Sequence, residues 1–542
     1  MRGYRFALFA GLAVAASAPS FAGAPQANKD AIKAHIAFLA DDLLEGRAPG
    51  TPGYDIAANY VAAQFAQYGL TPKGDQGSYL QHFGLRSARG TVESASFELE
   101  SAAGAEKFAY GTEFMIFPRA GDAVDSGSAS LIFVGYGIRD KQLQYDDYSG
   151  VDVKGKIVVV LRGYPSKFPS EAGAHLSSGL EKRKLAQQMG ALGMITLWTP
   201  QIEEKVLPFA KLKQYAMQPT MTWLDPAGKP FDNFPSMLND PQLSLKGAKK
   251  LFARAGVNLD DIYAKAAANQ PLPHKDLKLS ARFGMSAARS DIRSSNVVGM
   301  IPGSDPQLKN EYVVFSAHLD HLGKVPEKEG DNIYNGAMDN ASGVATMLEM
   351  ARMFSQSGVK PKRSLLFIAL TGEERGLLGS SYYASNPTVP AGTIVADVNL
   401  DMPLLTYDFS SVVPIGAEHS SLKDNVARAT RQLGLTVQPD PEPEQTVFVR
   451  SDHYSFVKEG VPSISLDTGR SSFNKSEDAN KVWDDFLEHH YHQPNDDMQQ
   501  PFNFTAAARF AQLNYNIAAD IANAKSRPTW NKGDFFGNLF KK

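Results

Sequence analysis

Tyr312-Val313-Val314-Phe315-Ser316-Ala317-His318-Leu319-Asp320-His321-Leu322-Gly323 is an apolar run that ends in charge. Its first six residues read as a buried strand, because β-branched and aromatic side chains suit a pleated surface covered on both faces. His318 and Asp320 stand two apart at the strand end, so alternation points both to the same side. The same form recurs nearby. Asn296 to Ile301, Ser364 to Leu370 and Thr393 to Leu400 are short apolar runs bounded by turn residues. Between them, Ala341 to about Phe354 places Val344, Leu348 and Ala351 on one helical stripe. Strands alternating with helices predict an α/β fold, a mostly parallel mixed sheet sandwiched by helices. Such sheets assemble their sites at the C-terminal strand ends.

Acidic and imidazole side chains follow one another in one order, most of them at those ends: His318, Asp339, Glu374, Asp401 and His492. Asp339 lies in Asn335-Gly336-Ala337-Met338-Asp339-Asn340-Ala341-Ser342-Gly343, at a helix start, where a carboxylate either caps the helix or reaches cations. Its two oxygens allow it to serve two cations at once. Glu373 and Glu374 are adjacent carboxylates after an apolar strand, and they repel unless cations or a shared proton relieve them. One can bind metal while the other faces water. Asp401 closes Val398-Asn399-Leu400, and a charge after a buried run needs a partner, either metal or a basic side chain. His492 sits beside His489, His490 and Tyr491, and position along the chain does not separate these histidines. Asp320 is placed to orient the His318 imidazole.

Outward from this block the texture changes. Arg2 and Arg5 precede an apolar run from Phe6 to Ala16 and the small-residue segment Ser17 to Ala22, the layout of a secretory signal peptide cleaved after Ala22. The run is shorter than the roughly 20 apolar residues of a spanning helix, so no stable membrane insertion is expected after cleavage. Ile32, Ile36, Leu39 and Leu43 recur at helical spacing, and a second helix is predicted from Tyr54 to about Tyr68, with Gly69 as its stop. These helices read as an N-terminal layer packed on the later sheet, and the Gly/Pro-rich loop between them puts Arg47 within reach of a substrate cleft. From about Ser128, Leu131 to Val134, Lys156 to Leu161 and Met194 to Trp198 read as short strands of a β-rich insertion. The span Pro200 to Lys275 has weak periodicity. The expected organisation is a signal peptide over 1–22, the N-terminal part of the catalytic domain over 23–122, the insertion over 123–284, the main catalytic domain over 285–525 and a tail over 526–542.

Composition permits an enzyme without naming one. The chain has 542 residues, 43% of them hydrophobic, and a formal net charge of −3, which gives no long-range attraction for nucleic acid or anionic lipid. It has no cysteine, so an exported form must rely on core burial and bound metal rather than disulfides. A bacterial periplasm or secretion fits these features. Oligomeric state is not written in the sequence.

The five ligand-type residues, with their flanking motifs His318-Leu319-Asp320, Asp339-Asn340-Ala341-Ser342-Gly343, Thr371-Gly372-Glu373-Glu374, Asn399-Leu400-Asp401 and Tyr491-His492-Gln493-Pro494-Asn495-Asp496, resemble the M28 family of co-catalytic zinc peptidases. The resemblance covers about 30–90 and 290–520. Val134-Gly135-Tyr136-Gly137-Ile138 and Val153-Lys154-Gly155-Lys156-Ile157-Val158 resemble the protease-associated domain found inserted in exported peptidases. The resemblance implies a zinc-exopeptidase fold and two Zn2+ per chain, with Co2+ or Mn2+ as substitutes. It further implies His318 and Asp401 on one ion, Glu374 and His492 on the other, Asp339 bridging, Glu373 as general base, and a cis peptide after Asp339. The same resemblance selects His492 over its neighbours, and places Asp452 and His453 of Arg450-Ser451-Asp452-His453 either at the substrate pocket or as ties of their loop. The implied activity is removal of N-terminal residues from peptides. A carboxypeptidase or a one-zinc glutaminyl cyclase shares the fold, and a receptor-like binding protein would have lost several of the ligands.

Overall fold

The computed structural model describes residues 26–540 apart from 102, 103, 217 and 327. The expected signal peptide lies outside the described residues. The larger sheet contains Leu80–Gly90 (β1), Thr220–Leu224 (β2), Ala287–Ile301 (β3), Tyr312–His318 (β4), Ser364–Leu370 (β5), Ile394–Asn399 (β6), Ser411–Ile415 (β7), Thr436–Val437 (β8) and Ser463–Thr468 (β9). Their order is β2-β1-β3-β5-β4-β6-β9-β7-β8, with the short Thr71–Pro72 also paired to β3. The four central strands β5, β4, β6 and β9 run parallel, while β3, β1 and β2 on one side and β7 on the other pair antiparallel. Every residue of β4, β5 and β6 is buried, as strands covered on both faces require.

Alternation then sorts their side chains. Val313, Phe315, Phe367 and Val398 enter one core with helices Lys29–Leu39 (α1), Pro52–Gln67 (α2), Ser342–Gln356 (α3) and Phe504–Asn523 (α4). Val314, Leu366 and Ile368 face the opposite side, against Tyr383 and Phe456. Local signals set the helix ends. Thr51 accepts from the Tyr54 N–H and Pro52 occupies the first turn of α2, whereas Gly69 follows its end at φ +74°.

A second, eight-stranded sheet has the order Gly104–Lys107, Ser96–Ser101, His274–Gly284, Ser126–Val134, Ile157–Leu161, Gly193–Leu197, Gln242–Leu243, Phe114–Met115. Leu131, Phe133, Ile157 and Val159 fill one of its faces and Ile132, Val134, Val158 and Val160 the other. Its strands start at Ser96, ahead of the insertion boundary expected at 123, and β2, from inside the 123–284 span, pairs with β1 of the larger sheet. Short strands such as these carry too few residues for periodicity to assign them to a sheet. The weakly periodic 200–275 span also holds helices Leu245–Arg254 and Leu259–Ala267, whose apolar faces bury Leu251, Phe252 and Ile262 in the smaller core. The tail region carries a short helix, Phe535–Leu539, with Phe536 buried among Phe448, Tyr454 and Val457.

Candidate metal centre

The parallel strands deliver the charged residues to one rim of the larger sheet. His318 is the last residue of β4, and Asp320 and His321 follow it in the same turn. Asp339 lies just before α3, Glu373 and Glu374 in the turn after β5, and Asp401 in the turn after β6. His492 comes from the loop that precedes α4. The five expected ligand-type residues converge. His318 Nε2 stands 3.0 Å from Asp401 Oδ1 and 3.2 Å from Asp339 Oδ1. His492 Nε2 stands 3.3 Å from Asp339 Oδ2 and 3.2 Å from Glu374 Oε2. The two oxygens of Asp339 therefore face different imidazoles. Of the neighbouring histidines, His489 is exposed and His490 Nδ1 turns to the Asn495 carbonyl at 3.1 Å.

The electrostatics follow from crowding. Burial opposes a charged imidazole, yet Asp401 and Asp339 hold His318 well above its ordinary range, and Glu374 does the same for His492. Burial, Asp401 and Glu374 push Glu373 well above the usual carboxylate range, with His318 opposing them. Burial acts the same way on Glu374, but His492 and His321 outweigh it and hold that carboxylate well below.

A frame of other side chains positions these groups. The peptide Asp339–Asn340 is cis. Asn340 Nδ2 donates to the Leu400 carbonyl at 2.9 Å, and its Oδ1 accepts from Gly343 N at 2.9 Å and Met402 N at 3.0 Å, which ties the Asp339 turn to the Asp401 turn. A Cβ on Gly343 would stand 2.2 Å from Leu400 O, so this approach needs glycine. Asp496 accepts from Met338 N at 2.8 Å and Asp339 N at 3.0 Å. Ser451 Oγ donates to Asp401 Oδ2 at 2.5 Å. Arg47 is 1% exposed, and its guanidinium donates to the carbonyls of Leu319 at 2.8 Å, Asn335 at 2.5 Å, Gly336 at 3.1 Å and Leu39. It clamps the turn after β4 to the approach to Asp339.

Several positions differ from the reading of the sequence. Arg47 is in the core and not in the cleft, because a Gly/Pro-rich loop says where the chain bends and not which way its side chains turn. The Asp320 carboxylate accepts from Glu373 N at 3.1 Å and lies 4.0 Å from His318 Nδ1, whereas the Asp320 carbonyl is 3.1 Å from that nitrogen. Asp320 thus fixes the Glu373-Glu374 turn. Asp452 and His453 are fully buried and do not line the cleft; Ser451, which was not singled out, reaches Asp401 instead. Tyr491 stacks on His492 with centroids 3.9 Å apart. His321, three residues after His318, carries no spacing signal of its own in the sequence. It is fully buried, with Nδ1 2.7 Å from Glu374 Oε1 and 4.0 Å from Asp339 Oδ2.

The donor set fits zinc. Potential ligand atoms of His318, Asp339 and Asp401 lie within 4.8 Å of one another, as do those of His321, Asp339 and Glu374. Imidazole nitrogen and carboxylate oxygen are the ligands zinc takes. His321 Nδ1 and Glu374 Oε1 approach each other to 2.7 Å, and His321 Nε2 is buried without a hydrogen-bond partner among the described residues, a costly state that a cation relieves. His318, Asp339, Glu373, Asp401 and His492 line a cleft of about 460 Å³, walled by Val413, Ile415 and Asp467 and, from the smaller unit, by Val206, Leu207 and Tyr215.

Comparison with known proteins places this geometry. Residues 296–518 match the model of Peptidase family M28. A "Probable zinc metalloprotease" of Pyrenophora tritici-repentis is 27% identical over 44% of this chain and 59% of its own length. A "probable leucine aminopeptidase 2" of Aspergillus oryzae is 29% identical over 34% of this chain and 36% of its own length. The chain thus matches less than two thirds of these relatives' lengths. The solved aminopeptidase from Aneurinibacillus sp. strain AM-1 shares the fold, with a TM-score of 0.53 and 19% identity over 93% of this chain and 96% of that one. Every residue of the candidate centre from His318 to His492 falls inside the segment, 296–518, that is similar to the model of Peptidase family M28.

Proposed function

We propose that this chain is an exported aminopeptidase that holds two zinc ions and removes N-terminal residues from peptides. The observation that carries the reading is Asp339, whose Oδ1 lies 3.2 Å from His318 Nε2 and whose Oδ2 lies 3.3 Å from His492 Nε2, beside a cleft that Glu373 also lines. In this reading His318 and Asp401 would hold one ion and Glu374 and His492 the other, with Asp339 serving both; cobalt or manganese could substitute. Bound zinc supplies Lewis-acid polarisation of the scissile carbonyl and activation of water near neutral pH. Glu373 takes the water proton and returns it to the leaving amine, a role suited to a carboxylate whose proton affinity burial has raised. Asp320 keeps Glu373 in place through its backbone N–H. Asp440 adds a carboxylate to the cleft wall, which favours a substrate's free ammonium end. The leucine aminopeptidase relative agrees with this choice. We read the smaller unit as a protease-associated insertion, and Arg2, Arg5 and the Phe6 to Ala16 run as its export signal.

A carboxypeptidase is the second reading, since Arg450 and Arg470 also face the cleft. The test is a panel of aminoacyl, N-blocked and C-terminally free peptides assayed with and without chelator, alongside metal analysis. Cleavage confined to free-amine substrates, abolished by chelator and restored by zinc at two ions per chain, is expected. Turnover of N-blocked peptides excludes an aminopeptidase, and one ion per chain favours the cyclase arrangement.

A further inference from the structure

The register of β7 and β9 gives the cleft a polarity of its own. Val413 lies directly opposite Asp467, and Ile415 opposite Ser465, so these four side chains share one face of the ladder. All four line the cleft with His318 and Asp401. An apolar strip of Val413 and Ile415 therefore runs beside a half-buried carboxylate.

That carboxylate has no local partner. Among the described residues, Asp467 makes neither a hydrogen bond nor an ion pair through its side chain. Arg470 attracts it, but the Arg470 guanidinium is bonded to Glu442 at 3.2 Å and Asp484 at 3.1 Å and lies over the Trp483 ring. Of the other cations at the cleft, Arg450 donates to the Gln445 carbonyl and Lys211 is exposed. Burial, followed by Asp401 and Asp440, pushes Asp467 up to about 8, the mark of a carboxylate short of positive charge. An apolar stem ending in a cation would match both the strip and the acid.

We propose that Asp467 makes the cleft selective for peptides whose N-terminal residue is lysine or arginine. This rests on the aminopeptidase reading. The stem lies along Val413 and Ile415, and the ammonium or guanidinium pairs with the Asp467 carboxylate.

The test uses the zinc-loaded full chain and Asp467→Asn. Hydrolysis of arginine, lysine, leucine and alanine p-nitroanilides is measured, together with calorimetric binding of L-argininamide and L-leucinamide. The arginine-to-leucine ratio in kcat/KM and in Kd should fall by roughly 10- to 100-fold in the variant, the scale of one charge-assisted hydrogen bond. Asp467→Leu should lower it at least as far, and the melting temperature of each variant checks its folding. An unchanged ratio overturns the proposal. So does an equal loss for arginine and leucine, which would mean that Asp467 holds the α-ammonium. Asp467-dependent argininamide binding in a protein that cleaves none of the four substrates would instead sink the aminopeptidase reading and keep the pocket assignment.

Discussion

Arg47→Met tests whether the buried guanidinium is the clamp of the centre. Arg47 donates to the carbonyls of Leu39, Leu319, Asn335 and Gly336 from a position 1% exposed to solvent. Burial lowers it to about 10, so it keeps its charge at pH 7, and Asp320, Asp496, Asp339 and Glu374 favour that charge. Methionine reproduces much of the stem and none of the donors. A hydrogen bond to a charged group contributes about 1.5–3 kcal/mol, and methionine packing offsets part of the loss, so a net cost of about 3–5 kcal/mol is expected. At about 2–4 °C per kcal/mol for a cooperative unit of 150–250 residues, the melting transition of the larger sheet should fall by at least about 6 °C. Scanning calorimetry of zinc-loaded and chelated protein reads this directly. The drop should be larger after chelation, because Asp339 and Glu374 then lack cations and depend more on Arg47. The approach to Asp339 runs through Asn335 and Gly336, so zinc affinity should weaken in the same variant. A melting temperature within about 1 °C of the parent in both states would refute the argument, since four stranded carbonyls cannot be free of cost.

Two further outcomes follow from named groups. Glu373→Gln should retain both metals by elemental analysis and lose turnover by roughly 10²- to 10⁴-fold, and normal hydrolysis would remove Glu373 from the base role. His35 and His175 are each lowered by burial to about 4, with Arg352 adding to the effect on His35 and Glu181 opposing it on His175. The unfolded chain takes up these protons below about pH 6.5 while the folded one refuses them, so their stabilisation is full above that pH and is lost as pH falls towards about 4. In chelated protein, His35→Gln and His175→Gln should each flatten the acid limb of melting temperature against pH, by on the order of 3 kcal/mol at its foot. An identical acid limb in the variants assigns it to other groups.

The elements nearest the chemistry are legible in the amino-acid sequence alone. Tyr312 to Ala317, Ser364 to Leu370 and Thr393 to Leu400 have nearly the bounds of β4, β5 and β6, because a fully buried strand writes its burial as an unbroken apolar run. His318 and Asp401 follow such runs directly and Glu374 stands in the short turn after one, so their places at the sheet rim are legible from neighbours in the chain. Partnerships between residues far apart in the chain come from the fold. Arg47 meets Asn335 across 288 positions, and Asp496 meets Asp339 across 157. The pairing of β2 with β1 and the opposition of Val413 to Asp467 depend on strand register. His321 and Ser451 stood in motifs already noticed, but only the fold turned one towards Glu374 and the other towards Asp401. Periodicity reports whether a side chain is buried, and the choice of what it meets there is made by long-range closure of the chain.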